Sequence, residues 1–282
     1  MTTSCSNIQR TTASRVRLHP QWVDRVGLFR RQPWTFEVAL FTLVLVAYQG
    51  SRIVVRGGSG DAFRNALDVI HWEKASGLFF ESGVQGFFLN HIALTEVLNH
   101  FYIWAHLPLT GLFFIWLYRS RRPVYPVVRN AFFIANGIAL IFFIVFPVAP
   151  PRLLSADGFV DTLQKVSGID LHGGRLSGWF NPFAAVPSMH FGYAILIGVV
   201  GALLVRNVVA RGMFLIYPGV VFIVIVGTAN HYVLDALAGA AVVALAMLSA
   251  LIIESRRRRP RIAAPPPAPP AQAQAPPARV EA

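Results

Sequence analysis

Two residues in the stretch TANHYVLD, residues 228–235, have the types and spacing needed for nucleophilic chemistry. His231 and Asp235 lie four residues apart, so they share one face of a helix. A carboxylate beside an imidazole fixes its tautomer and stabilises its protonated form, which makes the far ring nitrogen a better nucleophile. Ionisable residues at membrane depth are costly and are candidates for function. The competing interpretation is a buried pair that only holds helices together.

A second histidine, His190, lies in the stretch NPFAAVPSMHF, residues 181–191. It follows Pro187 and Ser188, and this order predicts a helix that begins at the serine, because serine is a good N-cap. A helix N-terminus presents free N–H groups and a positive dipole end, which suit a phosphate. An ordinary cap, with His190 anchored at a membrane interface, is the alternative.

Arg152 is the third candidate and lies in the proline-rich stretch FPVAPPRLL, residues 146–154. A guanidinium held by a stiff segment can clamp phosphate oxygens with paired hydrogen bonds. An arginine that extends its charge to the membrane interface is the alternative. Weaker candidates are His100 and His106, which are interpreted as core histidines, and Glu73 and Glu81, which are assigned to a solvated face.

The elements that must position these residues are apolar helices. The chain has 282 residues, of which 55% are hydrophobic and 13% charged, well below the charge of a typical soluble domain. A spanning helix needs about 20 mostly apolar residues. The sequence therefore predicts an all-α integral membrane protein, a bundle of six transmembrane helices. The predicted spans are 36–55, 98–118, 130–147, 188–205, 213–229 and 232–253.

The remaining segments are assigned by their composition. The stretch 61–90 is amphipathic and charged, which favours an interfacial helix between the first and second spans. The predicted domains are a basic cytoplasmic tail at 1–33, a membrane domain at 34–255, and a tail at 256–282 that is basic and then Pro/Ala-rich and disordered. The only cysteine, Cys5, excludes a disulfide within the chain.

The distribution of basic residues predicts the orientation. The net charge is +12, and the six-span model puts 18 of the 25 Lys and Arg residues on one side. That side should be cytoplasmic, and it includes both termini. The Arg-rich composition favours a bacterial cell membrane. Because the basic residues flank apolar runs, topology explains them better than nucleic-acid binding, and no nucleic-acid partner is expected.

The span count brings the two histidines to one surface. His190 begins the fourth predicted span, and His231 begins the sixth, 41 residues later. Two crossings return the chain to the side on which it started, so the two side chains can meet at the extracytoplasmic face.

The motifs AVPSMH and NHYVLDALAG, one hairpin apart, resemble those of the type 2 phosphatidic acid phosphatase superfamily. Together with APPR upstream, they look most like its inositol phosphorylceramide synthase-type branch. The resemblance covers about residues 130–250, with a looser likeness over 61–129. It implies a six-helix bundle that cleaves or transfers phosphoryl groups of membrane lipids without a metal or other cofactor.

The resemblance also implies roles for the matching residues. His231 would attack phosphorus and form a phosphohistidine, Asp235 would orient it, and His190 would protonate the leaving oxygen. Arg152 and Ser188 would bind phosphate oxygens.

Two cations of the family pattern are absent. Val145 stands where the first motif K-x6-R-P has its lysine, the order there is Pro-Arg, and Ile225 replaces an arginine six residues before His231. Candidates for compensation are Lys165, His172, Arg175 and Asn230, and Asn230 is the preferred one.

Three functions remain open from the sequence. The leading hypothesis is a lipid-phosphate phosphatase or phosphotransferase, the latter with a possible polyol acceptor. The second is a non-enzymatic lipid transporter or scaffold with the same fold, which predicts that His190 and His231 tolerate Asn or Gln. The third is a metal site, because His-x-x-x-Asp at helical spacing with another histidine can bind zinc. For the leading hypothesis the candidate substrates are a polyprenyl diphosphate, phosphatidic acid and an inositol-containing lipid.

Overall fold

The computed structural model describes residues 33–55, 59–171 and 181–257, and it describes them as helices and connecting loops. We number the helices in chain order. They are α1 Trp34–Val55, α2 Ser59–Ser76, α3 Glu81–Leu89, α4 Ile92–Ser120, α5 Tyr125–Val145, α6 Thr162–Ser167, α7 Met189–Leu204, α8 Val208–Gly227 and α9 Val233–Arg257. Each of the six predicted spans overlaps one of α1, α4, α5, α7, α8 and α9.

Four helices are long and apolar enough to cross a membrane, namely α4, α5, α8 and α9. The other two predicted spans are shorter as apolar helices, since the apolar part of α1 is Trp34–Gly50 and α7 has 16 residues. At 1.5 Å per residue α7 is about 24 Å long, less than the ~30 Å of a hydrocarbon core. The helices are those of an integral membrane protein, and the fifth and sixth crossings stay predictions.

The predicted interfacial segment at 61–90 forms two helices, α2 and α3. The assignment of Glu73 and Glu81 to a solvated face is wrong, because both side chains are fully buried. Glu73 continues the buried stripe of α2, which also contains Ala62, Ala66 and Ile70. The stripe packs on the loops that contain Val148 and Tyr232, so the face that the sequence assigned to water contacts the protein.

The bundle surrounds α7. Helices α4, α5, α7 and α9 share one apolar core, and α3, α4, α8 and the first turn of α9 share a second one. Small residues allow close approach at the crossing of α7 and α9. A Cβ on Gly239 would fall onto the carbonyl of Ser188, and one on Gly192 would meet Val243 at 3.0 Å. These glycines fix the height at which α7 begins beside α9.

The predicted tails lie mostly outside the described residues. This holds for residues 1–32 and for the Pro/Ala-rich segment, while Arg256 and Arg257 form the last turn of α9.

Candidate active site

The two histidines lie next to each other at one end of the α7–α8–α9 hairpin. His190 is in the first turn of α7, and His231 is in the turn between α8 and α9. Their ring centroids are 5.8 Å apart, with planes inclined at 52°. The sequence prediction that the hairpin returns His231 to His190 is confirmed.

Ser188 forms the start of α7 in the way that its sequence predicts. It is the N-cap residue, and its fully buried side chain accepts a hydrogen bond from the Phe191 N–H at 3.4 Å. Its own N–H donates to the carbonyl of Asp235 at 2.9 Å. The first turn of α7 is therefore tied directly to the first turn of α9, which carries the aspartate.

A tight reversal after α8 positions His231. The N–H groups of Asn230 and His231 both donate to the carbonyl of Ile225, at 2.9 and 3.1 Å. Ala229 has a φ of +52°, a conformation that is uncommon for any residue with a side chain. It is fully buried, so the surrounding packing maintains this turn.

The hydrogen bonds of His231 determine its tautomer. Its Nδ1 lies 3.0 Å from the carbonyl oxygen of Ala185 and 3.2 Å from Oδ2 of Asp235. Because a carbonyl oxygen can only accept, Nδ1 must be the donor. The neutral ring then carries its lone pair on Nε2, which is buried and without a hydrogen-bond partner within the described part of the chain. A free Nε2 lone pair is what a nucleophilic histidine requires.

Arg152 and Asn230 are brought together beside this turn. Nη1 of Arg152 donates to Oδ1 of Asn230 at 2.7 Å, and the Arg152 N–H donates to the carbonyl of Ala229 at 2.8 Å. The guanidinium is buried and lies 3.5 Å from a carboxylate oxygen of Asp161. Asn230 in turn donates to the hydroxyl of Thr228. The predicted phosphate-binding arginine is therefore held against the turn that contains His231 by an amide and a carboxylate.

Two residues that the sequence analysis assigned to a solvated face hold the start of α9, just after His231. Glu81 accepts a hydrogen bond from the N–H of Val233 at 2.8 Å, and Glu73 accepts one from Leu234 at 2.7 Å. Burial, and then the neighbouring Glu81 carboxyl, raise the pKa of Glu73 to about 9. The position of Glu73 on the apolar stripe of α2 was the signal in the sequence that could have revealed it.

Two further missed residues come from α4. Tyr102 stacks on His190 with ring centroids 4.4 Å apart, and His106 lies 5.0 Å from the same ring. His106 is buried, as expected of a core histidine, whereas the similar expectation for His100 is wrong because that side chain is exposed. The signal available in the sequence was the pair Tyr102 and His106, an aromatic residue and a histidine four positions apart in a predicted span.

The structure also shows where the two positions lie at which the family's cations are absent. Val145 is 76% exposed on the outside of the bundle, and Ile225 is fully buried in the apolar core. Lys165, a candidate to compensate, is exposed on α6. His172 and Arg175 lie outside the described residues. Of the two candidates among the described residues, Asn230 is the one that the structure brings into contact with Arg152.

Over residues 33–55, 59–171 and 181–257, no group of three or more His, Cys, Asp or Glu side chains has an arrangement that could hold a metal ion.

Comparison with known proteins gives one match. No curated protein and no solved structure matches the chain. The family model described as the PAP2 superfamily matches residues 67–249, which is more than half of the chain. The matched region includes His190, His231, Asp235 and Arg152, the residues that the hairpin and its adjoining loop bring together. The chain therefore belongs to the PAP2 superfamily.

Proposed function

We propose that this protein is a membrane enzyme that removes or transfers the phosphoryl group of a lipid phosphate through a phosphohistidine. Membership of the PAP2 superfamily supports phosphatase or phosphotransferase chemistry in general. The observation that supports the mechanism is the environment of His231. Its Nδ1 donates to fixed acceptors, its Nε2 is free, and a second histidine ring lies 5.8 Å away.

The reaction has two steps. Nε2 of His231 attacks phosphorus, the bond from phosphorus to the lipid oxygen breaks, and His190 gives its proton to that oxygen. Asp235 stabilises the positive charge that develops on the His231 ring. In the second step His190 takes a proton from water or from a hydroxyl acceptor. The oxygen of that molecule attacks phosphorus, and His231 is released as a neutral ring.

The phosphate is bound by groups next to His231. Arg152 provides a fixed positive charge, and its bond to Asn230 keeps both side chains beside the nucleophile. Ser188 caps α7, so the backbone N–H groups of Met189 and His190 begin the helix, whose dipole favours an anion. With the family's other two cations replaced by Val145 and Ile225, Arg152 has to neutralise more of the phosphate's negative charge than it would in the common pattern.

The site faces the extracytoplasmic side, and both termini are cytoplasmic. In the six-span topology, 18 of the 25 Lys and Arg residues lie on the side of the membrane opposite the site. This excess supports the orientation, because basic residues are enriched on the cytoplasmic side. Transfer to a hydroxyl acceptor such as a polyol, in place of hydrolysis, is the finer proposal. Its support is the likeness of the sequence NHYVLDALAG and the stretch APPR to the inositol phosphorylceramide synthase-type branch.

The direct test measures phosphate release by the purified protein in detergent from phosphatidic acid and from a polyprenyl diphosphate. We expect His231→Ala to lower turnover at least a thousandfold, as removal of a catalytic nucleophile does. His100→Ala, which changes an exposed histidine, is the matched control and should keep full activity. Adding inositol to each reaction separates hydrolysis from transfer, because transfer produces a phosphorylated polyol in place of free phosphate.

Equal activity of the wild type and His231→Ala would overturn the mechanism. A transporter or scaffold that uses the same fold predicts no phosphate release from either protein and normal function of His231→Asn in cells.

A further inference from the structure

The spanning helix α4 contains a wide turn next to the site. Residues Phe101–Ala105 form a π turn between two α-helical halves, Ile92–His100 and His106–Ser120. A π turn inserts one extra residue, so it changes which side chains face a neighbour, and such turns are frequent at functional sites. Here Tyr102 lies within the turn and His106 directly follows it. Both side chains are directed at His190.

The rings of these two residues flank the His190 ring. Tyr102 lies 4.4 Å from it with planes inclined at 23°, a stacked arrangement, and His106 lies 5.0 Å from it at 36°. Tyr102 also contacts His231, with centroids 6.4 Å apart at 64°. Ring contacts of this kind restrict how far a histidine side chain can turn about its χ angles. The hydrogen bonds of Ser188 fix the backbone of α7, but the ring contacts fix the imidazole.

His106 is itself held in place by α8. Its Nδ1 is 2.8 Å from the hydroxyl of Tyr217, and the two rings are nearly parallel. Its Nε2 is buried and has no hydrogen-bond partner within the described residues. A polar atom in that position is costly, so a purely apolar packing role would favour another residue type.

We propose that Tyr102 and His106 are positioning residues that orient the His190 ring for protonation of the leaving oxygen, with Tyr217 holding His106. This inference rests on the proposed function, because it assumes that His190 is the proton donor. Neither residue has to touch the phosphate. They act by restricting the His190 ring, which does contact the substrate. Correct orientation of a proton donor accounts for a large part of the rate enhancement that it provides.

The proposal makes a prediction that depends on the leaving group. An alkyl phosphate releases an alkoxide, which needs a proton as the bond breaks. A nitrophenyl phosphate releases a stabilised phenolate, which leaves without one. Misorienting His190 should therefore lower kcat/KM, which reports the step in which the leaving group departs, much more for the alkyl than for the aryl substrate. A general loss of structure would lower both values by the same factor.

The experiment compares dodecyl phosphate with 4-nitrophenyl phosphate as substrates of the full-length protein in detergent. We expect His106→Ala to lower kcat/KM for dodecyl phosphate about a hundredfold and for 4-nitrophenyl phosphate less than about fivefold, in line with the usual contribution of a general acid. Tyr217→Phe removes only the hydroxyl that holds His106. It should show the same pattern with a smaller effect, and it carries the test if His106→Ala does not fold.

Controls separate the possible failures. His100→Ala, in the same helix but exposed, should leave both rates unchanged. Equal losses on the two substrates in His106→Ala and Tyr217→Phe would overturn the positioning role while leaving the phosphohistidine mechanism intact. Full activity of His231→Ala on both substrates would instead overturn the proposed function, and the present inference with it.

Discussion

Three buried carboxyl groups accept hydrogen bonds from three consecutive backbone N–H groups behind the His231 ring. Asp235 binds the N–H of Tyr232 at 2.9 Å as well as the ring, and Glu81 and Glu73 bind the next two. Acceptors at a helix N-terminus satisfy N–H groups that have no partner within the helix. The turn that contains His231 is therefore held by side chains of α2 and α3, not only by the helix that follows it.

Glu73 predicts a pH dependence of stability. The pKa of its carboxyl is about 9 in the folded protein, against an ordinary value of 4.5. Between these values the unfolded chain has released a proton that the folded protein retains, so raising the pH lowers the free energy of unfolding. Glu73→Gln removes this dependence and keeps an oxygen for the N–H of Leu234. We expect its melting temperature to rise relative to wild type when pH increases from 5.5 to 8.5.

Thermal unfolding in detergent at both pH values measures the difference. Glu96→Gln, an exposed carboxyl on α4, is the control and should follow the wild type. If Glu73→Gln loses as much stability between pH 5.5 and 8.5 as the wild type does, Glu73 is not the group responsible.

At the residue scale, the sequence predicted the side chains that carry reactive groups but not those that support them. His190, His231 and Asp235 are recognisable because polar residues at helical spacing are rare in spans. Glu73 lies on the apolar stripe of α2, but a charged residue on a helix considered alone is ordinarily assigned to solvent. Its burial depends on the loops around Val148 and Tyr232, and a single helix carries no information about its packing partner.

At the scale of elements, the crossing of α7 and α9 controls the site. Gly239 of α9 lies directly against the carbonyl of Ser188, the residue that begins α7. Helices in membranes approach most closely where small residues meet, as they do here with Gly192 opposite. Any side chain at position 239 must move the first turn of α7, and the His190 ring moves with it.

Gly239→Ala should therefore reduce activity more than its single methyl group suggests. We expect at least a tenfold loss of turnover and a lower melting temperature, because the contact is with backbone and cannot be relieved by rotating a side chain. Gly137→Ala is the matched control, since nothing lies within 4 Å of its Cβ position in α5. It should be stabilising by up to about 1 kcal/mol, the helix propensity difference. Equal behaviour of the two variants would contradict this account of the crossing.

Hydropathy predicted the long helices well and their irregularities not at all. The average over about 20 residues locates each apolar run, so the predicted 130–147 overlaps the observed Tyr125–Val145. One extra residue in the π turn of α4 does not change that average, although it decides which rings face His190. For the same reason the sequence predicted one helix over 61–90 and not the break between α2 and α3.

At the scale of the whole molecule, α7 presents a mismatch with the bilayer. Its 16 residues reach about 24 Å, short of a hydrocarbon core of ~30 Å. Most of its side chains are buried by α4, α5, α8 and α9, so lipid contacts little of it. A short central helix is tolerated when protein satisfies its polar ends, and the first turn of α9 does this at Ser188.

The six-span topology predicts that α7 crosses the membrane despite its length. Ala156 precedes it on an exposed turn, and Val208 follows it at the start of α8 with 82% exposure. In a Cys5→Ser background, a membrane-impermeant maleimide added to intact cells should label Ala156→Cys and leave Val208→Cys unlabelled until the cells are opened. The physical reason is that a cytoplasmic position beside Arg206 follows the positive-inside rule. Labelling of both cysteines in intact cells would make α7 a re-entrant helix. His231 would then return to His190 without two crossings.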